Sequence, residues 1–125
     1  MSLSRKTPLV LLLLAAVLVA LNGFAFAQMD APDVPVKVGM MAPITGPAAS
    51  IGVEQLNWAK LAVEDFNAAT GWNVELVEGD TQLDPAVAVT VAESLVADAD
   101  VYGVVGPAGS QEVEATQQQF LDAGL

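Results

Sequence analysis

The sequence is 125 residues long and 54% hydrophobic, with four basic residues against 15 acidic ones and neither cysteine nor histidine. That composition leaves no means of forming a disulfide, a thiolate metal site or an imidazole acid–base centre. The net charge of −11 opposes binding to nucleic acid or anionic membranes. Most of the acidic residues read as solvated surface and imply no cationic ligand.

Arg5 and Lys6 precede a run from Leu9 to Leu21 made almost entirely of Leu, Val and Ala, and Ala25-Phe26-Ala27 offers a small-x-small cleavage motif before Gln28. This order of features predicts a signal peptide over residues 1–27 and an extracytoplasmic, periplasmic-type location. A retained anchor is the competing reading, but the run is short for a spanning helix and is interrupted at Asn22 and Gly23. Cleavage would leave 98 residues, in which Lys37 and Lys60 face 15 acidic residues for a net charge of −13. That suffices for one small domain. Residues 28–35, with Asp30, Pro32, Asp33 and Pro35, read as a flexible leader.

Val36 to Met41 reads as the first strand, with Ala42 extending the apolar run as in a strand covered on both faces. Pro43 ends it, and Gly46-Pro47 marks a turn in a loop of small residues. Ile51 to Ala69 has helical spacing, with Val53, Leu56, Ala59, Val63 and Phe66 in an apolar stripe and Gly71 as a stop. Lys60 and Glu64, four apart, suit a weak surface pair. Trp58 and Trp72 invite a ligand-stacking reading, but helix packing and a helix–strand junction are the ordinary explanations. Asn73 to Glu78 reads as the second strand. Asp84-Pro85 then opens a helix that runs to about Ala97. Its apolar face is Val87, Ala88, Val91, Ala92 and Leu95, and Asp98 and Asp100 belong to the turn that follows.

The most informative stretch is Val101 to Glu114. A short apolar strand, Val101–Val105, runs into Gly106-Pro107-Ala108-Gly109, and Ser110 opens a helix to about Ala123. A strand, a glycine loop and a helix start form a common binding corner, because the first helical N–H groups lack internal partners and can hold an anion. The Ser110 hydroxyl suits either a helix cap or a ligand carboxylate. Val113, Phe120 and Leu121 suit a packed helix face, with the glutamines outward. The alternation of strand and helix, three of each, predicts an α/β fold: a three-layer sandwich with a parallel sheet.

An enzyme is the rival of a different class. A nucleotide-binding enzyme calls for GxGxxG or GxxxxGK[ST] after the first strand, and Gly39-Met40-Met41-Ala42-Pro43-Ile44-Thr45-Gly46 fits neither. Asp80 and Asp84 read as loop and cap residues rather than a catalytic carboxylate pair. The expectation is therefore a protein that is not an enzyme and uses no cofactor or metal.

Four segments together carry a family resemblance: KVGMMAPITGPAASIG (37–52), AKLAVEDFNAATG (59–71), VELVEGDTQLDPAVAVTVAESLV (74–96) and VYGVVGPAGSQE (101–112). In order and spacing they resemble the extracytoplasmic substrate-binding proteins of branched-chain amino acid ABC transporters, the type I periplasmic binding fold. The resemblance implies a two-lobed receptor that closes on its ligand, of which residues 36–125 would be an incomplete amino-terminal lobe. It implies that Gly109 and Ser110 help to hold an amino acid's α-carboxylate and that backbone groups near Ala108 face the ligand. Ile51 would line the pocket at a position commonly aromatic in the family, which loosens any inference about side-chain preference. The partners implied are an amino acid, branched-chain or otherwise aliphatic, and the membrane permease of an importer. A related receptor for amides, urea or aromatic acids, or a fragment without binding of its own, are the alternatives.

Overall fold

The structure, a computed structural model, describes residues 30–125. The expected signal peptide lies outside the described residues, as do the first two positions of the leader. Residues 30–35 carry neither helix nor strand and are exposed.

Three strands, β1 (Val36–Ala42), β2 (Val74–Asp80) and β3 (Val101–Val105), alternate with three helices, α1 (Ala49–Thr70), α2 (Pro85–Ala97) and α3 (Ser110–Ala123). All strand pairings are parallel and β1 is central, in the order β2-β1-β3. β1 and β2 run in continuous register from Val36–Val74 to Ala42–Asp80, so β2 extends two residues beyond the Glu78 expected from the sequence. On the other side, Lys37 pairs with Val101 and Val38 with Gly103. The slip leaves Tyr102 as an extra residue at the sheet edge, 60% exposed.

Alternation along β1 divides the core in two. Met41 joins Ala88, Ala92, Leu95 and Val101 under α2 and α3, with Phe120 and Leu125 packed against them. Met40 and Ala42 join Leu56 of α1 on the opposite face. Burying each of the Met, Leu and Val side chains stabilises the fold by about 1.5–3 kcal/mol, and each alanine methyl by less. Small residues on α2 let it sit close to α3, while Asp84 caps its start by accepting from the amides of Ala86 (2.7 Å) and Val87 (3.2 Å).

α1 begins at Ala49, two residues before the expected start. Gly46, at φ 83°, turns the chain so that Ala49 N–H already bonds the Gly46 carbonyl, and Ile51 and Gly52 bond that of Ala48. A Cβ at Gly52 would lie 2.1 Å from the Pro43 carbonyl oxygen, so the helix backbone rests directly on the end of β1. At its far end Gly71 adopts φ 76° and bonds the Asn67 carbonyl. Asn67 then ties the helix to β2: its amide donates to the Val74 carbonyl and its oxygen accepts from Val74 N–H, both at 2.9 Å.

Three surface expectations are corrected. The buried side of α3 is Glu112 and Thr116, with Phe120 partly covered, while Val113 and Leu121 are 42% and 68% exposed. Docking against the small residues of α2 selects the stripe one position earlier. Lys60 pairs with Glu78 of β2 at 2.7 Å instead of Glu64, because α1 lies along that strand. Trp58 is 63% exposed and so is not a packing residue, whereas Trp72 does sit at the helix–strand junction, edge-on to Phe66 at 5.6 Å.

Candidate functional site

Parallel strands send all three of their following loops to one end of the sheet, the usual place for a ligand in such folds. The loop from β1 to α1 carries Gly46 to Ala48 and leads to Ile51. The loop from β3 to α3 carries Gly106 to Gly109 and leads to Ser110. The two run side by side, since a Cβ at Gly106 (φ 104°) would fall 2.2 Å from the Met41 carbonyl oxygen. Only a glycine lets the second loop cross the end of β1 this closely. The Gly106–Pro107 peptide is cis.

All four residues expected at the site lie at this end of the sheet. Ile51 is in the first turn of α1 with 58% of its surface exposed. Ala108 is exposed, and Ser110 is exposed at the first position of α3. Gly109 is different: it is buried, it is the residue before the helix, and its N–H donates to Glu112 Oε2 at 2.7 Å. Its carbonyl accepts from the amides of Glu112 and Val113. Gly109 therefore shapes the corner, and its amide is already occupied.

The helix cap thus falls to Gly109 and Glu112, not to Ser110. Within the described residues the Ser110 hydroxyl has no hydrogen bond, and the amides of Ser110 and Gln111 have no acceptor. These three donors, at the positive end of a 14-residue helix, are what the corner offers an anion. Among the described residues no basic side chain assists them. Lys37 is held at the opposite end of β1 by Asp98 (2.8 Å) and Asp100 (3.6 Å), and Lys60 is on Glu78. The hydrogen bond from Lys37 and its charge hold Asp98 below the usual carboxylate range, and the lysine is raised in turn.

Two contributors escaped the sequence reading. Glu112 is fully buried, with Oε1 unpartnered and Oε2 on Gly109; a glutamate three residues after a cap position was the available signal. Asp80 was assigned only to a loop. Its Oδ1 accepts from the amides of Ile44 (2.9 Å), Thr45 (3.1 Å) and Gln82 (3.1 Å), and the Thr45 hydroxyl donates to Oδ2. Partial burial pushes the Asp80 carboxyl up, but these hydrogen bonds outweigh it and hold the group below its ordinary value.

Among the described residues a depression of about 510 Å³ lies beside the corner. It is an apolar trough between α1 and the sheet, lined by Val38, Met40, Trp58, Leu76 and Val105, and it meets the corner at Ala108. Among the described residues no cluster of acidic side chains is arranged to hold a metal ion.

The model of the periplasmic binding protein family matches residues 35–125. The chain belongs to that family. A protein of Pseudomonas aeruginosa described as a leucine-, isoleucine-, valine-, threonine- and alanine-binding protein is 36% identical over 109 residues, which are 85% of this chain and 28% of that protein. The Leu/Ile/Val-binding protein of Escherichia coli is 30% identical over 113 residues, 88% of this chain and 30% of that protein. A branched-chain amino acid transporter substrate binding protein of Streptococcus pneumoniae, solved with isoleucine, superposes with a TM-score of 0.68 at 33% identity. It matches 74% of this chain and 27% of its own length. A second structure, a putative branched-chain amino acid ABC transporter protein from Rhodospirillum rubrum, gives 0.69 at 29% identity, covering 74% of this chain and 28% of that one. The chain thus spans between a quarter and a third of the length of these relatives.

Proposed function

We propose that this chain is the first part of the ligand-binding lobe of an extracytoplasmic receptor that carries an amino acid, branched-chain or otherwise aliphatic, to an ABC importer. The ligand carboxylate is received by the Ser110 hydroxyl and the amides of Ser110 and Gln111. The ligand side chain faces Ile51 and the apolar surface near Ala108. The observation that carries this reading is the set of three unengaged donors at the start of α3, at the carboxyl end of the central strands. The names of the relatives support the choice of an amino acid, and the apolar leading run at Leu9–Leu21 supports export. The family resemblance implies that the ammonium group is held from a second lobe, and the described residues of this chain are read as contributing the carboxylate side of the grip. The chain's own affinity is expected near the millimolar range, worth about 4 kcal/mol.

The test is an NMR titration of the isotopically labelled chain with L-leucine, with isopentylamine as the analogue lacking a carboxylate. Leucine is expected to shift the amides of Ser110 and Gln111, and isopentylamine to leave them in place. Ser110→Ala is expected to weaken leucine binding about tenfold, the usual effect of removing a hydrogen bond to a charged group. Shifts confined to other parts of the sheet, or an unchanged affinity in the variant, would remove the corner from the binding site.

A further inference from the structure

The end of β2 and the loop that follows it, residues 80–83, touch both of the loops assigned to ligand capture. On one side stands Asp80, with its hydrogen bonds to Ile44 and Thr45. Gln82 adds to this contact, lying 3.8 Å from the point where a Cβ at Gly46 would be. On the other side the Leu83 side chain packs under Gly109, 3.0 Å from the corresponding point there. The loop is tied down from below as well, since Thr81 N–H donates to the Ala42 carbonyl at 2.9 Å and Asp84 N–H to the Thr81 carbonyl. Its backbone is unusual: Gln82 and Leu83 both have positive φ, 54° and 60°, in successive non-glycine residues. Such a conformation persists only where surrounding contacts enforce it.

We propose that Asp80 is a positioning residue for solute capture: its carboxylate fixes the Ile44–Thr45 segment ahead of α1 while Leu83, in the same loop, backs Gly109 ahead of Ser110. The two capture segments are then held at one spacing by a third that makes no ligand contact itself. This rests on the reading of the corner given under Proposed function. The chemistry explains why the residue is an aspartate. Four donors converge on it from three residues, and an ionised carboxylate accepts all four without presenting a donor of its own. An amide in its place would turn an NH2 group toward one of them. The side chain is also short enough to keep the end of β2 against the end of β1, where Asp80 pairs with Ala42.

Three variants of the chain separate positioning from plain support of the fold. Asp80→Ala removes the anchor. Asp80→Asn keeps the shape and most of the acceptor capacity. Asp84→Ala removes the cap of α2, four residues on, and lowers stability without touching the first loop. Amide exchange by NMR, read at Ile44 and Thr45 against Met40 in the core, reports local opening. L-leucine titration read at the Ser110 amide reports capture. Asp80→Ala is expected to speed exchange at Ile44 and Thr45 at least tenfold over Met40 and to weaken leucine binding at least fivefold. Asp80→Asn should fall between it and the parent, and Asp84→Ala should show neither selective effect. Equal behaviour of the alanine variants at positions 80 and 84, or retained protection at Ile44 and Thr45 in Asp80→Ala, would overturn the proposal. If the parent chain itself gives no leucine shifts, the receptor reading falls on its own, and the exchange data alone then decide whether Asp80 holds the loop.

Discussion

The two faces of the sheet are built from the same strand and finished differently. Met40 and Met41 are neighbours in β1, 4% and 0% exposed, yet they point into unlike surroundings. Met41 lies beneath two helices, in a cluster closed by Ala88, Ala92 and Leu95. Met40 lies beside one helix and opens onto the 510 Å³ trough where Trp58 and Val105 stand exposed. The difference shows that low exposure of a residue does not by itself measure how well a core is closed. What matters is whether a gap left there would be sealed or reached by water.

The sharpest way to break the comparison is to cut a matched pair of leucines. Leu95→Ala on the two-helix face leaves a sealed cavity and is expected to cost about 4 kcal/mol. Leu56→Ala on the one-helix face leaves a gap behind Met40, which lines the trough, and is expected to cost about 2 kcal/mol, close to the lost transfer term alone. Urea unfolding of both variants measures this, and equal losses would mean that the faces are equally closed.

A smaller effect is expected at the rim of the two-helix face, where Lys37 meets Asp98 at the end of α2. Asp98 has a lowered pKa in the folded chain, so its contribution is present above the unfolded carboxylate value near 4 and disappears as pH falls through the folded value. Lys37 is raised, so its contribution is present below about 10.4 and disappears as pH rises through its folded value. Lys37→Met should flatten both ends of the stability–pH profile. A profile identical to the parent's would show that this ionic rim contributes nothing. The least effect belongs to Trp58→Ser on the open face, expected to change stability by no more than about 0.5 kcal/mol while improving solubility. A large loss of stability, read in the same urea experiment, would show that the trough is more closed than its geometry indicates.

Most of the architecture was legible because it is written in local patterns. The Asp84-Pro85 start, the apolar runs of β1 and β3 and the glycine stop at Gly71 each state their own structure. The four site positions were placed by family resemblance, and the parallel order of the strands brings them to one end. What was not legible depended on residues far apart in the chain. Asp80 meets partners 35 and 36 positions away, and no spacing rule announces them. Lys60 reached Glu78 because of the way α1 crosses β2. The buried stripe of α3 was set by the shape of α2, and the apolar Val113 and Leu121 misdirected the reading toward the wrong side. Gly109 lies in the turn just before α3, but the sequence did not reveal that Glu112 already occupies its amide.

The seat of α1 on Pro43 has an implication for the proposed capture corner as well as for the fold. One hydrogen atom, at the α-carbon of Gly52, is the spacer that sets how near the first turn of that helix comes to the strand end. Ser50 and Ile51 ride on the same turn, so their distance from the opposite loop is gauged by this single point of contact. Enlarging it would swing both residues outward together, away from the loop that follows β3, even in a molecule that still folded.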